Sequence, residues 1–259
     1  MTGWIRFGCA LLLASCLGGS LARAATSEDL YSGTGSPWTI GDQAWSVGVF
    51  RPLTVGLDER TEVSTTGLVS LVSPRLVAKR RVWSSTRWAL AMQAGLGVPT
   101  AGLRLLQGSV VSSDPDQQVP WALVAGAGPV LGWRHDRMVV SLGVYGRVGV
   151  PLGEGELDPT DMAWLDPMLA PLVEGWSLTP RIGVDWLPSE RWVLSLDSRL
   201  QWGGGPDWNT RLFALRQLGI HTALGAGLGL ARETFTTGPR DEWIWLQDVV
   251  PLVDFQVRY

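Results

Sequence analysis

The side chains that could do chemistry in this chain are few, and their spacing is regular. Histidine occurs only twice, as His135 beside Asp136 and as His221 in "IHTALGAGLGLA". A nucleophilic or general-base site needs serine, cysteine or paired carboxylates gathered around such a residue. His135 sits in a short polar turn, and the neighbours of His221 at positions 223, 225 and 227 are Ala223, Gly225 and Gly227, which supply no nucleophile. No catalytic residue is assigned from the sequence. The acidic stretch 153 to 175 carries Glu154, Glu156, Asp158, Asp161 and Asp166, with Trp164, Met168 and Leu169. Oxygen ligands of this kind can hold calcium, but the EF-hand spacing is absent, so no metal and no cofactor is expected. The acidic stretch reads as an exposed loop that caps one end of the fold and could contact a partner. "GAGLGL" (225 to 230) has its glycines on alternate positions of a strand-like run, whereas a phosphate-binding loop needs a strand, a turn and then a helix.

A more informative set is Lys79, Arg81, Arg147, Arg181 and Arg199 with Asp185, Asp197, Asp248 and Asp254. Each falls on the polar parity of a run in which apolar residues occupy the other parity. In "RWVLSLDSRLQW", Trp192, Leu194, Leu196, Leu200 and Trp202 share one face, and Ser195, Asp197, Arg199 and Gln201 share the other. The same code recurs in 87 to 99, 138 to 150 and 176 to 186. There Trp88, Leu142 and Trp186 lie on the large-residue face, while Gln93, Arg147 and Arg181 lie opposite. A period of two predicts half-apolar strands and excludes amphipathic helices.

Tryptophan spacing then says what surrounds the apolar face. Trp192 and Trp202 are ten residues apart, as are Trp176 and Trp186, and Trp121 and Trp133 are twelve apart. A transmembrane strand needs roughly 9 to 11 tilted residues and carries aromatic girdles where its apolar band meets each interface. Trp88, Trp121, Trp133, Trp176, Trp186, Trp192, Trp202 and Trp245 are accordingly expected to form girdles. The inward charges would then line the lumen, since a midplane Arg or Lys facing lipid costs roughly 2 to 4 kcal/mol. They either line a solute pathway or form a salt-bridge network that fills the barrel, and their near balance argues against a strong ion filter.

The expected fold is all-β: a transmembrane antiparallel up-and-down barrel of 12 strands, with 10 as the alternative. Short polar turns fall at 57 to 60, 84 to 86, 134 to 137 and 188 to 191, and longer connections at 100 to 119, 153 to 175, 203 to 209 and 232 to 242. Strand candidates number eleven, beginning with 44 to 56, and an even count requires one more. Either 31 to 40 adds a strand or the stretch around Arg51 and Pro52 is misread. Pro129, Pro180 and Pro251 fall on the outward parity inside strands, where β-bulges are expected. Arg51 falls there too.

The first residues read as an export signal, with Arg6, an apolar run from Phe7 to Ser15, and cleavage after Ala24. The alternative is a cut before Cys16, because Leu13-Ala14-Ser15-Cys16 resembles a bacterial lipobox. Residues 25 to 43 would form a periplasmic segment able to supply a first strand, and 44 to 259 the barrel. Both cysteines lie inside the signal, so a chain cut after Ala24 holds no thiol. The signal takes two of the 21 basic residues and none of the 24 acidic ones, leaving 19 against 24 and a net charge of −5. Nucleic acid is therefore not an expected partner.

The C-terminal "PLVDFQVRY" places Val253, Phe255, Val257 and Tyr259 on one parity and ends on an aromatic. It resembles the closing strand of bacterial outer-membrane β-barrel proteins, in which that pattern is read by the barrel assembly machinery. The resemblance implies the outer membrane of a Gram-negative bacterium, with lipid and that machinery as partners. It is silent on activity, for which three expectations stand: a passive pore or small-solute channel first, a plugged structural or surface-recognition barrel second, and a lipid-modifying enzyme last. The enzyme classes to test are phospholipases, lipid A deacylases and barrel proteases, and the chain lacks the His-x-Ser-Asn-Gly stretch of the first.

Overall fold

The computed structural model describes residues 36–48, 52–65, 73–106, 120–153, 171–172, 175–203, 207–219, 221–232 and 249–258. Twelve antiparallel strands close on themselves: β1 Trp45–Gly48, β2 Leu53–Gly56, β3 Thr61–Thr65, β4 Arg75–Ser84, β5 Trp88–Gly97, β6 Trp121–His135, β7 Met138–Leu152, β8 Trp176–Ser189, β9 Trp192–Gln201, β10 Asp207–Gln217, β11 Thr222–Arg232 and β12 Val249–Arg258. Each strand pairs with its neighbours in the chain, and β1 pairs with β12 through Ser46↔Arg258, Val47↔Val257 and Gly48↔Gln256. Closure removes both sheet edges. Among the described residues no helix is long and apolar enough to cross a membrane. One short helix, α1 (Ala101–Leu106), follows β5.

The twelfth strand comes from the misread stretch. Residues 44 to 56 form two short strands, β1 and β2, paired through Trp45↔Val55 and Ser46↔Thr54. Residues 36 to 40 add no strand. Arg51 lies outside the described residues.

The short turns 57 to 60, 85 to 87, 136 to 137, 190 to 191 and 218 to 221 all fall at one end of the barrel, called the turn end below. In the first, the Arg60 amide donates to Asp58 Oδ1 at 2.6 Å and holds that carboxyl below its usual range. The connections after β5, β7 and β11 lie at the opposite, loop end. The one after β9 is shorter than 203 to 209, because Asp207 already begins β10.

The proline bulges do not occur. Met92↔Pro129, Val144↔Pro180 and Leu228↔Pro251 are paired with no change of register. On its β7 side Pro129 is skipped, and pairing resumes from Ala127↔Gly146 to Val130↔Gly143 in the same register. There Gly128 lets the Val144 carbonyl come close, where an added Cβ would collide with it. Register shifts fall instead between Arg81 and Trp83 and between Trp186 and Ser189, next to turns. The first turns Trp83 outward beside Leu90, against its parity.

Most outward residues are apolar and exposed, as at Leu76, Leu142, Val148, Ile182, Leu212 and Val253, each 47 to 62% exposed, while Arg80 and Arg216 are charged exceptions toward the turn end. One outward position breaks the alternation of "RWVLSLDSRLQW". Ser198 points out among the leucines, and its hydroxyl is taken by Trp208 Nε1 at 3.0 Å and Thr210 Oγ1 at 2.9 Å.

Candidate functional site

Cross-strand partners share a face, so the register sorts the charges directly. Glu62↔Lys79, Gly183↔Asp197, Asp197↔Arg211 and Gly225↔Asp254 all face the lumen. The lumen they line has two different halves.

At the turn end the lumen is filled by the chain's own N-terminal segment. Trp38 packs among Ala89, Val139, Leu187, Val193, Leu215 and Ala223, with Phe213 against the cluster. These buried residues are 0 to 7% exposed. Gly132 on β6 makes room, since an added Cβ would lie 2.5 Å from both Pro37 and Trp38. The Arg134 guanidinium lies 5.8 Å from the Trp38 ring centre. Lys79 Nζ fastens the segment by donating to the carbonyls of Ser36 and Trp38, both at 2.8 Å, and pairs with Glu62 at 2.7 Å. Glu62 also accepts from the Ile40 amide at 3.0 Å. Thr39 Oγ1 and Arg81 Nη2 both donate to the Glu59 carbonyl at 2.8 Å. The segment leaves the lumen at Gly41, whose φ of +96° suits glycine, and Gly41 packs on Gly56 where no Cβ would fit.

Farther toward the loop end, on β8 to β10, the lumen is wet. Arg181 Nε donates to Asp197 Oδ1 at 2.9 Å and its Nη2 to Oδ2. Arg199 binds the same two oxygens at 3.2 and 3.0 Å. The three side chains are 21, 18 and 27% exposed for Arg181, Asp197 and Arg199, although all face inward. Arg211 stands across from Asp197 and is exposed. Asp185 accepts from Ser195 Oγ at 2.5 Å.

On the adjoining wall, Arg147 Nη1 donates to Thr179 Oγ1 at 2.9 Å and its guanidinium stacks 5.0 Å from the Tyr145 ring. Tyr145 OH donates to the Gly126 carbonyl at 2.9 Å. Gly95 and Gly126 leave space for that ring, where an added Cβ would come within 2.7 and 2.6 Å. Gly225 and Gly227 do the same for Phe213. The glycine run is thus packing space for an aromatic.

The inward candidates are therefore split. Lys79 and Arg81 hold the N-terminal segment, while Arg181, Asp197 and Arg199 form one cluster near Asp185. Arg147 sits apart on β7, and Asp254 is buried on β12. Asp248 lies outside the described residues. Sequence reasoning missed Glu62 and Arg211, although the period-2 runs "TEVST" and "DWNTRLFALRQ" place both on the inward parity. It also missed Trp38, which no strand pattern could reveal. His135 is exposed at the end of β6, 3.5 Å from Asp136 in the turn and stacked on Trp133 at 5.6 Å. His221 precedes β11 in a turn.

Trp88, Trp121, Trp176, Trp186, Trp192 and Trp202 point outward and are 40 to 49% exposed. Trp121, Trp176 and Trp202 stand at the loop ends of β6, β8 and β9, and Trp133, Trp186 and Trp192 at their turn ends. Ten residues of strand rise about 33 Å, or about 25 Å at a tilt near 40°. Trp83 and Trp208 extend the two rows. Trp245 lies outside the described residues. Val253, Phe255 and Val257 face outward on β12, and Tyr259 is not described.

No protein-family model and no curated protein sequence matches the chain. Among solved structures it is similar to in-vitro folded OmpT, an outer membrane protein of Vibrio cholerae. That likeness has TM-score 0.40 and 10% identity over 92% of this chain and 74% of that one. The loop L8 deletion mutant of OmpT gives TM-score 0.43 and 11% identity over 92% and 73%. CdiB from Acinetobacter baumannii gives 0.32 and 9% over 82% and 51%. At these values the likeness concerns the fold and nothing finer.

Proposed function

We propose that this protein is an integral outer-membrane β-barrel of a Gram-negative bacterium, closed at its turn end, that acts by presenting its loop end rather than by conducting solute. Its two tryptophan rows and the apolar face between them match a bilayer in height and chemistry. With the short turns on the periplasmic side, as in known barrels of this kind, the filled half of the lumen faces the periplasm. The observation that carries the closed reading is the seat of Trp38 in the lumen, clamped by Lys79 and Glu62. It puts the plugged barrel ahead of the passive pore. Export by a cleaved signal and insertion through the closing strand belong to the same proposal, with lipid as the surrounding partner. Neither histidine is given a catalytic role.

The test is single-channel conductance of the refolded full chain in planar bilayers, with folding shown by heat-modifiable gel migration. A silent bilayer containing folded protein is expected. Steady conductance would overturn the closed barrel and favour a pore lined by Arg181 and Arg199.

A further inference from the structure

The wet half of the lumen holds more guanidinium than its own carboxylates use. A carboxylate offers about four acceptor positions. Those of Asp197 are occupied by Arg181 and Arg199, each binding both oxygens. A third guanidinium, Arg211, stands directly across from Asp197 in the β9–β10 register. Arg211 is exposed and faces the lumen, and it donates no hydrogen bond to any described residue. The charges that bear on it are two of its own sign, Arg199 and Arg181, and one opposite, Asp197. The next acid along β8, Asp185, is engaged by Ser195. These five groups carry three positive charges against two negative ones.

Like charges held together inside a barrel wall cost stability unless something else neutralises them. The fork of a guanidinium fits phosphate and carboxylate oxygens. A planar carboxylate meets one or two forks edge-on, whereas the tetrahedral oxygens of phosphate can meet forks arriving from three adjacent strands of a curved wall. We propose that Arg211, with Arg199 and Arg181, forms a binding site for a small soluble oxyanion of the phosphate class. Asp197 spaces two of the guanidiniums, and Arg211 supplies the fork left for the ligand. The three side chains face the lumen and not the lipid side, so the phosphate comes from solution.

Isothermal titration of the refolded full chain in a phosphate-free non-ionic detergent tests this, using inorganic phosphate against chloride at equal ionic strength. Saturable binding near one phosphate per chain is expected, weakened at least tenfold in Arg211→Gln and by less in Arg211→Lys. Because Arg211 makes no hydrogen bond to the described residues, both variants should keep the heat-modifiable migration of the parent. If Arg211→Gln fails to fold, Arg211→Lys carries the comparison through its lost fork. Absence of saturable phosphate binding, or binding unchanged in the folded variants, overturns the proposal. Conductance is a separate readout: a conducting protein that binds phosphate keeps this site and loses only the closed barrel.

Discussion

Lys79 and Asp197 both project into the lumen and both meet opposite charge on a neighbouring strand, but their surroundings differ. Lys79 and Glu62 are each only 4% exposed, and both also bond to the backbone of residues 36 to 40. Asp197 sits between two arginines in a space that solvent reaches, with a third arginine opposite. The first half of the lumen turns a charge pair into a clasp for a peptide segment. The second leaves donors facing water. The same inward parity therefore yields a structural joint where a segment enters, and a binding surface where none does.

The clasp should break hardest. Lys79→Met leaves Glu62 buried without its cation and two carbonyls without their donor, a change expected to cost about 3 to 5 kcal/mol. Urea unfolding of the detergent-folded chain measures it. A loss below about 1 kcal/mol would mean that the segment is held by Trp38 packing alone. The wet cluster should respond less, since water can replace lost partners. Asp197→Asn keeps the shape and removes the anion that Arg181 and Arg199 share, with an expected loss of about 1 to 3 kcal/mol that shrinks as salt is added. A salt-independent loss would indicate that the cluster is dry.

Smaller still is the polar break on the outer face. Ser198→Ala leaves Trp208 Nε1 and Thr210 Oγ1 without their shared partner, and about 1 kcal/mol is expected in the same unfolding measurement. The smallest effect belongs to Arg211→Gln, within about 0.5 kcal/mol of the parent because no hydrogen bond to a described residue is lost. A loss of several kcal/mol would place Arg211 among the structural charges and remove the contrast between the two halves.

Most of the barrel was legible from alternation alone. A strand exposes its side chains to two sides in turn, so Leu196 against Asp197, or Val148 against Arg147, names the face before any pairing is known. Tryptophans at both ends of β6, β8 and β9 marked the strand length. What alternation handles poorly is a defect of one residue. The bulge before Trp83, the hairpin hidden in 44 to 56 and the unbulged Pro129 each depend on a neighbouring strand, through pairing with β5, β1 and β7. Glu62 and Arg211 were readable by parity and were overlooked because their strands were short or weakly patterned.

The sequence by itself determined the period, the inside and outside of most strands, and the length matched to a bilayer, because these are local properties of an extended chain. The tertiary structure alone decided that residues 36 to 40 turn into the lumen, that Lys79 meets Glu62 while Arg181 and Arg199 share Asp197, and that no carboxylate among the described residues is bonded to Arg211. Those outcomes depend on which strands become neighbours when the barrel closes and on the volume left inside it. No residue's own neighbours in the chain encode that.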